Sequence, residues 1–294
     1  MGQTVAFIGL GIMGSRMVKQ VLKGGYAVRV YNRTPAKAEA ARALGATVAA
    51  SPRAAAEGAD FVVSIVADPP ALVAVMDGPE GIMAGCCPGT LVVDMSTVDP
   101  ATSQAMAAKA QSLGLRYLEA PVTGGASGAE QSTLTIMVGG SVEDFAAAKP
   151  LLESMGKKIL HVGRMGQGAA MKLSTNVVAS CISAAMVEAL VFAAKAGLEL
   201  SLVAEVLAER SPLIAMWVPR ILARDFAPNF PLRLAHKDVQ LALGAARTMG
   251  VPLFATAAVA QLQSAAEASG LGEADLTAII RVLEEIVGIE VRKK

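Results

Sequence analysis

The stretch "GQGAAMKLSTN", Gly166 to Asn176, places Lys172 and Asn176 four residues apart near the start of a long apolar segment. Four residues is about one helical turn, so an amine and an amide share a face and point at one neighbour. An ammonium beside a carbonyl oxygen stabilises the charge that develops there on reduction and donates a proton to it; the neutral amine takes a proton from the corresponding alcohol. The positive end of the helix dipole and partial burial both disfavour the charged lysine, although a lone lysine here also reads as a helix-end residue snorkelling to water. His236 is a rival base, but beside Lys237 and Asp238 it reads as a surface or hinge residue.

A second set of residues suits a dinucleotide. In "VAFIGLGIMGSRM", Gly9, Gly11 and Gly14 form G-x-G-x-x-G between a β-branched run and a helical one, with Leu10, Ile12 and Met13 in the same loop. The first glycine permits the tight turn, the second lets backbone approach a pyrophosphate, and the third lets helix and strand pack closely. The next strand, "AVRVYNRT", ends in Asn32, Arg33 and Thr34, where an acidic residue would hold the ribose hydroxyls of NAD. An arginine with hydroxyl and amide neighbours accommodates a 2′-phosphate instead, which makes NADP(H) the expected cofactor and NAD(H) the alternative. Val66, Ala67 and Asp68 lie at the carboxyl end of another strand, where the cofactor crevice opens; Asp68 reads equally as a helix cap.

Two polar turns follow apolar strands, "VVDMSTVDP" and "LEAPVTGGASGAEQSTLTIMVGG". Ser96 and Thr97 offer hydroxyls, and Thr123, Gly124 and Gly125 offer a hydroxyl and backbone N–H groups suited to a carboxylate. Such residues also dominate turns for backbone reasons.

These residues need a frame. The first half alternates β-branched runs with alanine-rich stretches, the pattern of βαβ units around a parallel sheet. Strands are predicted at Val5 to Gly9, Ala27 to Tyr31, Phe61 to Val66, Leu91 to Asp94, Tyr117 to Ala120, Thr133 to Val138 and Ile159 to Val162, with Ser51 and Ser141 as helix caps. After Gly163 the strand signal fades. A helix from Gly168 to Ala196, stopped by Gly197, precedes shorter ones at Ser201 to Glu209, Pro212 to Leu222, Leu234 to Met249, Phe254 to Ala268 and Leu276 to Ile286. The expected architecture is α/β: a Rossmann-type dinucleotide domain over 1–163, then an all-helical substrate and dimerisation domain over 164–294. Lys172 falls at the junction, where small-molecule sites tend to form.

Composition narrows the function. Of 294 residues 53% are hydrophobic and 17% charged, which argues against disorder, and a net charge of +1 without a basic block argues against a nucleic-acid partner. Cys86, Cys87 and Cys181 lack metal-ligand spacing and His161 lies far from His236, so neither a metal site nor a disulfide framework is expected. "MGQTVAFIGLG" reads as a strand rather than a signal peptide. The uncharged run from Leu173 to Val187 is shorter than the ~20 residues a bilayer requires and carries polar side chains, so it reads as a core or subunit-interface helix. A cytoplasmic protein without a membrane partner is expected.

Taken together and in order, "GLGIMG", "DMSTVDP", "APVTGGASGAEQSTLTIMVGG", "GQGAAMKLSTN" and "HKDVQLAL" resemble the β-hydroxyacid dehydrogenase family, which includes 3-hydroxyisobutyrate dehydrogenase, tartronate semialdehyde reductase and the glyoxylate and succinic semialdehyde reductases. The resemblance covers nearly the whole chain. It implies a Rossmann-type domain joined to an all-α domain through a long interdomain helix, with Lys172 as catalytic acid or base and Asn176 orienting the substrate. Ser96, Thr123, Gly124 and Gly125 would hold the substrate carboxylate, Thr97 and Lys237 would touch the cofactor, and Phe230 and Asp238 would close the pocket. Thr123 stands where the family more often has serine, and its extra methyl tightens that pocket. "NRT", "ADP" and "FPLRLAHKD" look like the glyoxylate and succinic semialdehyde reductases; "STLTIMVGG" and "GIEVRKK" look like the tartronate semialdehyde and hydroxyisobutyrate enzymes. The implied activity is hydride transfer between NADP(H) and a small carboxylate-bearing aldehyde or hydroxyacid, in a homodimer or homotetramer. Imine reductases of the same fold generally lack the lysine, a non-catalytic nucleotide sensor would not need it, and 6-phosphogluconate dehydrogenase proper has a longer helical domain.

Overall fold

Strands with apolar side chains on both faces need cover on both, and the first half of the chain supplies it. The computed structural model describes residues 2–293. Its strands are β1 (Thr4–Ile8), β2 (Ala27–Tyr31), β3 (Thr47–Val48), β4 (Phe61–Ser64), β5 (Leu91–Asp94), β6 (Arg116–Glu119), β7 (Val122–Thr123), β8 (Leu134–Gly139) and β9 (Gly156–Gly163). They form one sheet in the order β3-β2-β1-β4-β5-β6-β8-β7, with β9 also paired to β8. In β1, Val5 and Phe7 enter one apolar cluster while Ala6 and Ile8 enter another, the period-two alternation of a strand buried on both faces.

Strands β1 to β6 pair in parallel, and their order reverses at β1, so the crevice for a ligand opens at the carboxyl ends of β1 and β4. The sheet is not parallel throughout. The chain doubles back through a helix of one and a half turns at Gly125–Glu130, which sets β8 antiparallel to β6 and β7. The two-residue strands β3 and β7 escape sequence prediction because they are too short to show alternation. The expected caps form: Ser51 Oγ accepts from Ala54 N–H at 3.1 Å and Ser141 Oγ from Asp144 N–H at 3.0 Å.

Packing groups the chain into a first unit ending at Lys172 and a second beginning at Leu173. The first turn of the long helix Gln167–Lys195 belongs to the first unit, with Gly168 N–H bonded to Glu119 of β6. The second unit is helical, comprising the rest of that helix with Leu200–Ala208, Pro212–Leu222, Leu232–Thr248, Phe254–Ala268 and Ile280–Val287. Where one helix is predicted from Leu276, a 3₁₀ turn at Leu276–Ile279, capped by Asp275, precedes the α-helix. Val187, Leu190, Trp217, Ile221, Leu232 and Ile280 belong to the apolar core of this unit.

At 29 residues the long helix is long and apolar enough to cross a membrane, so length does not exclude a span as the uncharged run alone suggests. Met186, Val187 and Leu190 nevertheless pack into the second unit's core, while Val178 and Phe192 are exposed.

Candidate functional site

The glycine loop sits where the crevice opens. A methyl group placed on Gly9, whose φ is +102°, would lie 2.1 Å from the Ile65 carbonyl oxygen; one on Gly14 would lie 2.0 Å from the Gly9 carbonyl oxygen. Both glycines are therefore demanded by the fold itself. A methyl on Gly11 would meet nothing within 4 Å. The following helix, Gly14–Lys23, has no side-chain cap and no acidic residue in its first turn. An open backbone cradle at an uncapped positive helix end fits the pyrophosphate of a dinucleotide.

The neighbouring residues sort into two kinds. Leu10 is core: its side chain is buried and its N–H donates to Asn32 Oδ1 at 2.9 Å. Asn32 thus clamps the loop to the end of β2, while its amide N–H donates to the Thr34 carbonyl at 3.0 Å. Ile12 and Met13 are half-buried, and Met13 packs on the core. Arg33 and Thr34 are exposed, as is Lys37 on the adjoining helix, and among the described residues neither Arg33 nor Lys37 has an ion-pair partner. Asp68 caps the helix Pro69–Met76, accepting from Ala71 N–H at 2.8 Å. Val66 is half-buried and Ala67 exposed.

Ser96 is tied into the fold. It is buried; its hydroxyl donates to Asp94 Oδ1 at 2.7 Å and accepts from Val66 N–H at 2.9 Å. Through these two bonds Ser96 joins the ends of β4 and β5. Ser64 also donates to Asp94 Oδ1 at 2.7 Å, whereas Asp94 Oδ2 is buried without a partner. Burial pushes the Asp94 carboxyl up to about 6, against the hydrogen bonds from Ser96 and Ser64 and with the Glu119 charge adding to the rise. Thr97 is half-buried.

Asp94 and Glu119 are register partners on adjacent strands, and sequence reasoning misses both. The signal was an acidic residue closing an apolar strand, in "LVVD" and again in "RYLE". Burial, then the Asp94 and Glu119 charges, also raise the Tyr117 hydroxyl well above its ordinary range. Beyond Glu119, Thr123 is half-buried and pairs with Thr135 in the ladder, and Gly124 and Gly125 are exposed with φ of +127° and +63°.

Lys172 and Asn176 are each only 8% exposed and lie one turn apart on the same face of one helix. In the second unit, Asn176 Nδ2 donates to Asp238 Oδ2 at 2.5 Å, and Lys237 Nζ lies 2.8 Å from Asp238 Oδ1 as a charge contact rather than an aligned hydrogen bond. Asp238 is therefore tied to both Asn176 and Lys237. Phe230 is half-buried in a loop held by Asp275, whose Oδ2 accepts from its N–H at 3.3 Å. His236 is engaged at both ring nitrogens, with Glu267 and Gln240, each at 3.0 Å, which removes it as a rival base. No cluster of three or more His, Cys, Asp or Glu side chains able to hold a metal occurs among the described residues.

Residues 4–163 match the family described as the NAD binding domain of 6-phosphogluconate dehydrogenase. Residues 166–283 match that described as NAD-binding of NADP-dependent 3-hydroxyisobutyrate dehydrogenase. The 2-(hydroxymethyl)glutarate dehydrogenase of Eubacterium barkeri is 38% identical over 291 residues, covering 98% of this chain and 97% of its own. Glyoxylate/succinic semialdehyde reductase 2, chloroplastic, of Arabidopsis thaliana is 33% identical over 284 residues, covering 96% and 79%. The crystal structure of 3-hydroxyisobutyrate dehydrogenase from Salmonella typhimurium superposes with a TM-score of 0.88 at 28% identity, covering 95% of this chain and 99% of that one.

Proposed function

The chain belongs to the β-hydroxyacid dehydrogenase family and is an NAD(P)-dependent oxidoreductase; from that premise we propose that it moves a hydride between NADP(H) and a small carboxylate-bearing aldehyde or hydroxyacid, with Lys172 as general acid and base. The observation that carries this reading is the near-complete burial of Lys172 beside an equally buried Asn176. Lysine is rarely buried so far, because its ammonium is better solvated by water than by apolar packing.

A nicotinamide dinucleotide held at the glycine loop would supply or accept the hydride. As the carbonyl carbon is reduced, negative charge grows on its oxygen, and the Lys172 ammonium stabilises that charge and donates the proton. In the opposite direction neutral Lys172 takes the alcohol proton. Asn176, turned by its bond to Asp238, orients the reacting group. Thr123 and the backbone of Gly124 and Gly125 receive the carboxylate. Thr97 and Lys237 at the cofactor, and Phe230 beside the substrate, follow the family pattern. Exposed Arg33, Thr34 and Lys37 support a 2′-phosphate and hence NADP(H). The exposed Val178 and Phe192 of the long helix support its pairing with a second copy, in a homodimer or homotetramer.

The test is a panel of C2 to C5 semialdehyde acids, each assayed with NADPH and NADH, run beside a Lys172→Ala variant. Turnover of at least one acid is expected, and the variant should keep its NADPH affinity while kcat falls by about 10²- to 10⁴-fold. A silent panel, or a variant that turns over like the parent, would reject the reading.

A further inference from the structure

We propose that Glu119 is a positioning residue for Lys172: its buried carboxylate anchors the first turn of the long helix and so fixes where the lysine stands. The inference rests on the reading of Lys172 given above. Glu119 closes β6 and is 2% exposed. Its Oε1 accepts the Gly168 N–H at 2.7 Å, and its Oε2 accepts the Ser103 hydroxyl. It forms no ion pair among the described residues. A carboxylate buried in this way is costly unless hydrogen bonds and oriented dipoles replace its water. The start of a 29-residue helix supplies both, an orphan N–H and a positive dipole end.

The surroundings are shaped for this group. A methyl on Gly139 would lie 2.2 Å from Glu119 Oε1, and one on Gly168 would lie 3.0 Å from it and 2.7 Å from the Met137 carbonyl oxygen. Two glycines on two different elements thus clear the space the carboxylate fills. Gly168 is four residues before Lys172, so the anchored N–H lies one turn below the lysine on the same helix face. The same residue reaches three segments of the proposed site. It bonds the helix of Lys172, it bonds Ser103 on the helix that follows Ser96 and Thr97, and it closes β6 four residues before Thr123 of β7. Movement at Glu119 is therefore movement of the amine relative to the carboxylate turn, and a displacement on the order of 1 Å at a reacting group can cost about a hundredfold in rate.

Glu119→Leu removes both acceptors, whereas Glu119→Gln keeps an acceptor for Gly168 and presents its amide N–H to a hydroxyl that can rotate to accept it. Glu119→Leu should lower kcat by roughly 10- to 100-fold with the KM for NADPH within about twofold. Hydrogen exchange should rise in the peptide 166–172 and stay unchanged in the peptides of β1 and β4. Glu119→Gln should recover kcat to within about threefold of the parent. In the unsubstituted protein, the Gly168 amide should exchange as slowly as the amides of β8, a readout that needs no variant to fold. Rapid exchange at Gly168 in the parent overturns the inference, as does a Glu119→Leu protein in which exchange rises across the whole sheet and cofactor affinity falls with kcat. Turnover lost in Lys172→Ala but kept in Glu119→Leu overturns the inference alone; turnover kept in both overturns the reading of Lys172 and the inference with it.

Discussion

Two places in the first unit run from strand through glycines into a helix, and they end in opposite states. From β1 the chain passes Gly9, Gly11 and Gly14 into the helix Gly14–Lys23; from β9 it passes Gly163, Gly166 and Gly168 into the helix Gln167–Lys195. At the first junction a methyl on Gly11 would meet no atom, and nothing caps the helix. At the second every glycine faces protein. The nearest atoms to an added methyl are Gln167 Oε1 at 1.9 Å for Gly163, Gln104 Nε2 at 2.6 Å for Gly166 and the Met137 carbonyl oxygen at 2.7 Å for Gly168. The positive helix end has no side-chain cap in one case and is met by the chain's own carboxylate in the other. A glycine-rich lead into a helix therefore announces a close approach without saying of what, and the residue that decides the second case is 49 positions away.

The sharpest way to break the comparison is to put an anion into the open junction. Gly11→Asp adds a side chain where no protein atom stands, so the urea midpoint should hold. Its carboxylate would oppose the pyrophosphate at a cost of several kcal/mol, so the Kd for NADPH should rise by about a hundredfold or more. A fluorescence titration beside a urea melt separates the two. Unfolding of the variant would mean that Gly11 is structural like its counterparts at the second junction.

The next largest effect concerns the buried acid beside the filled junction. Asp94 goes from an ordinary 3.8 to about 6 in the fold, so the folded chain holds its proton more tightly than the unfolded one. Its contribution to stability is therefore present below about pH 4 and is lost as pH rises through about 6, a change of about 3 kcal/mol. An asparagine in its place would mimic the protonated side chain, with Oδ1 still accepting from Ser64 and Ser96. Asp94→Asn should thus gain on the parent by about that amount between pH 4 and pH 7.5 in urea unfolding. A difference between the two proteins that does not move with pH would mean that Asp94 does not titrate in this range.

Gly168→Ala tests the filled junction by crowding. Helix propensity alone would favour alanine by about 1 kcal/mol. The added methyl would instead press on the Met137 carbonyl oxygen at 2.7 Å and the Gly139 amide nitrogen at 3.1 Å, backbone atoms that cannot swing aside. A net loss of about 2 kcal/mol is expected, read as a lower urea midpoint at unchanged slope. A stabilised variant would show that the junction is looser than its contacts imply.

The contrast also explains what was legible in the sequence. β-Branched runs bounded by glycine place the long strands within a few residues, and Ser51 and Ser141 announce their caps, because these signals are local. The two-residue strands β3 and β7 exist only through their partners in the sheet. Ser96 reads as an available hydroxyl, yet its proton goes to Asp94, a bond that forms only once β5 is in place and the turn after it has folded. Glu119 reads as one acidic residue among twenty-five Asp and Glu; its importance lies in contacts with Ser103 and Gly168, which no spacing within "RYLE" records. Lys172 and Asn176 were readable because their relation is a single helical turn.

The smallest predicted effect lies at the rim of the open junction and asks which dinucleotide it prefers. Arg33 and Lys37 are exposed and have no ion-pair partner among the described residues, whereas Arg42 on the same stretch pairs with Glu39 at 2.8 Å. A guanidinium at the end of β2 would stabilise a 2′-phosphate by charge and by its planar donor set, and would offer little to a bare ribose hydroxyl. Arg33→Ala should therefore raise the KM for NADPH by about tenfold, roughly 1.4 kcal/mol, and leave the KM for NADH nearly unchanged. Raising ionic strength should narrow that gap, because exposed charges are screened within about 10 Å at 0.1 M salt. Equal losses with both cofactors would mean that Arg33 holds the loop rather than the phosphate, and the open junction would then discriminate by something other than charge.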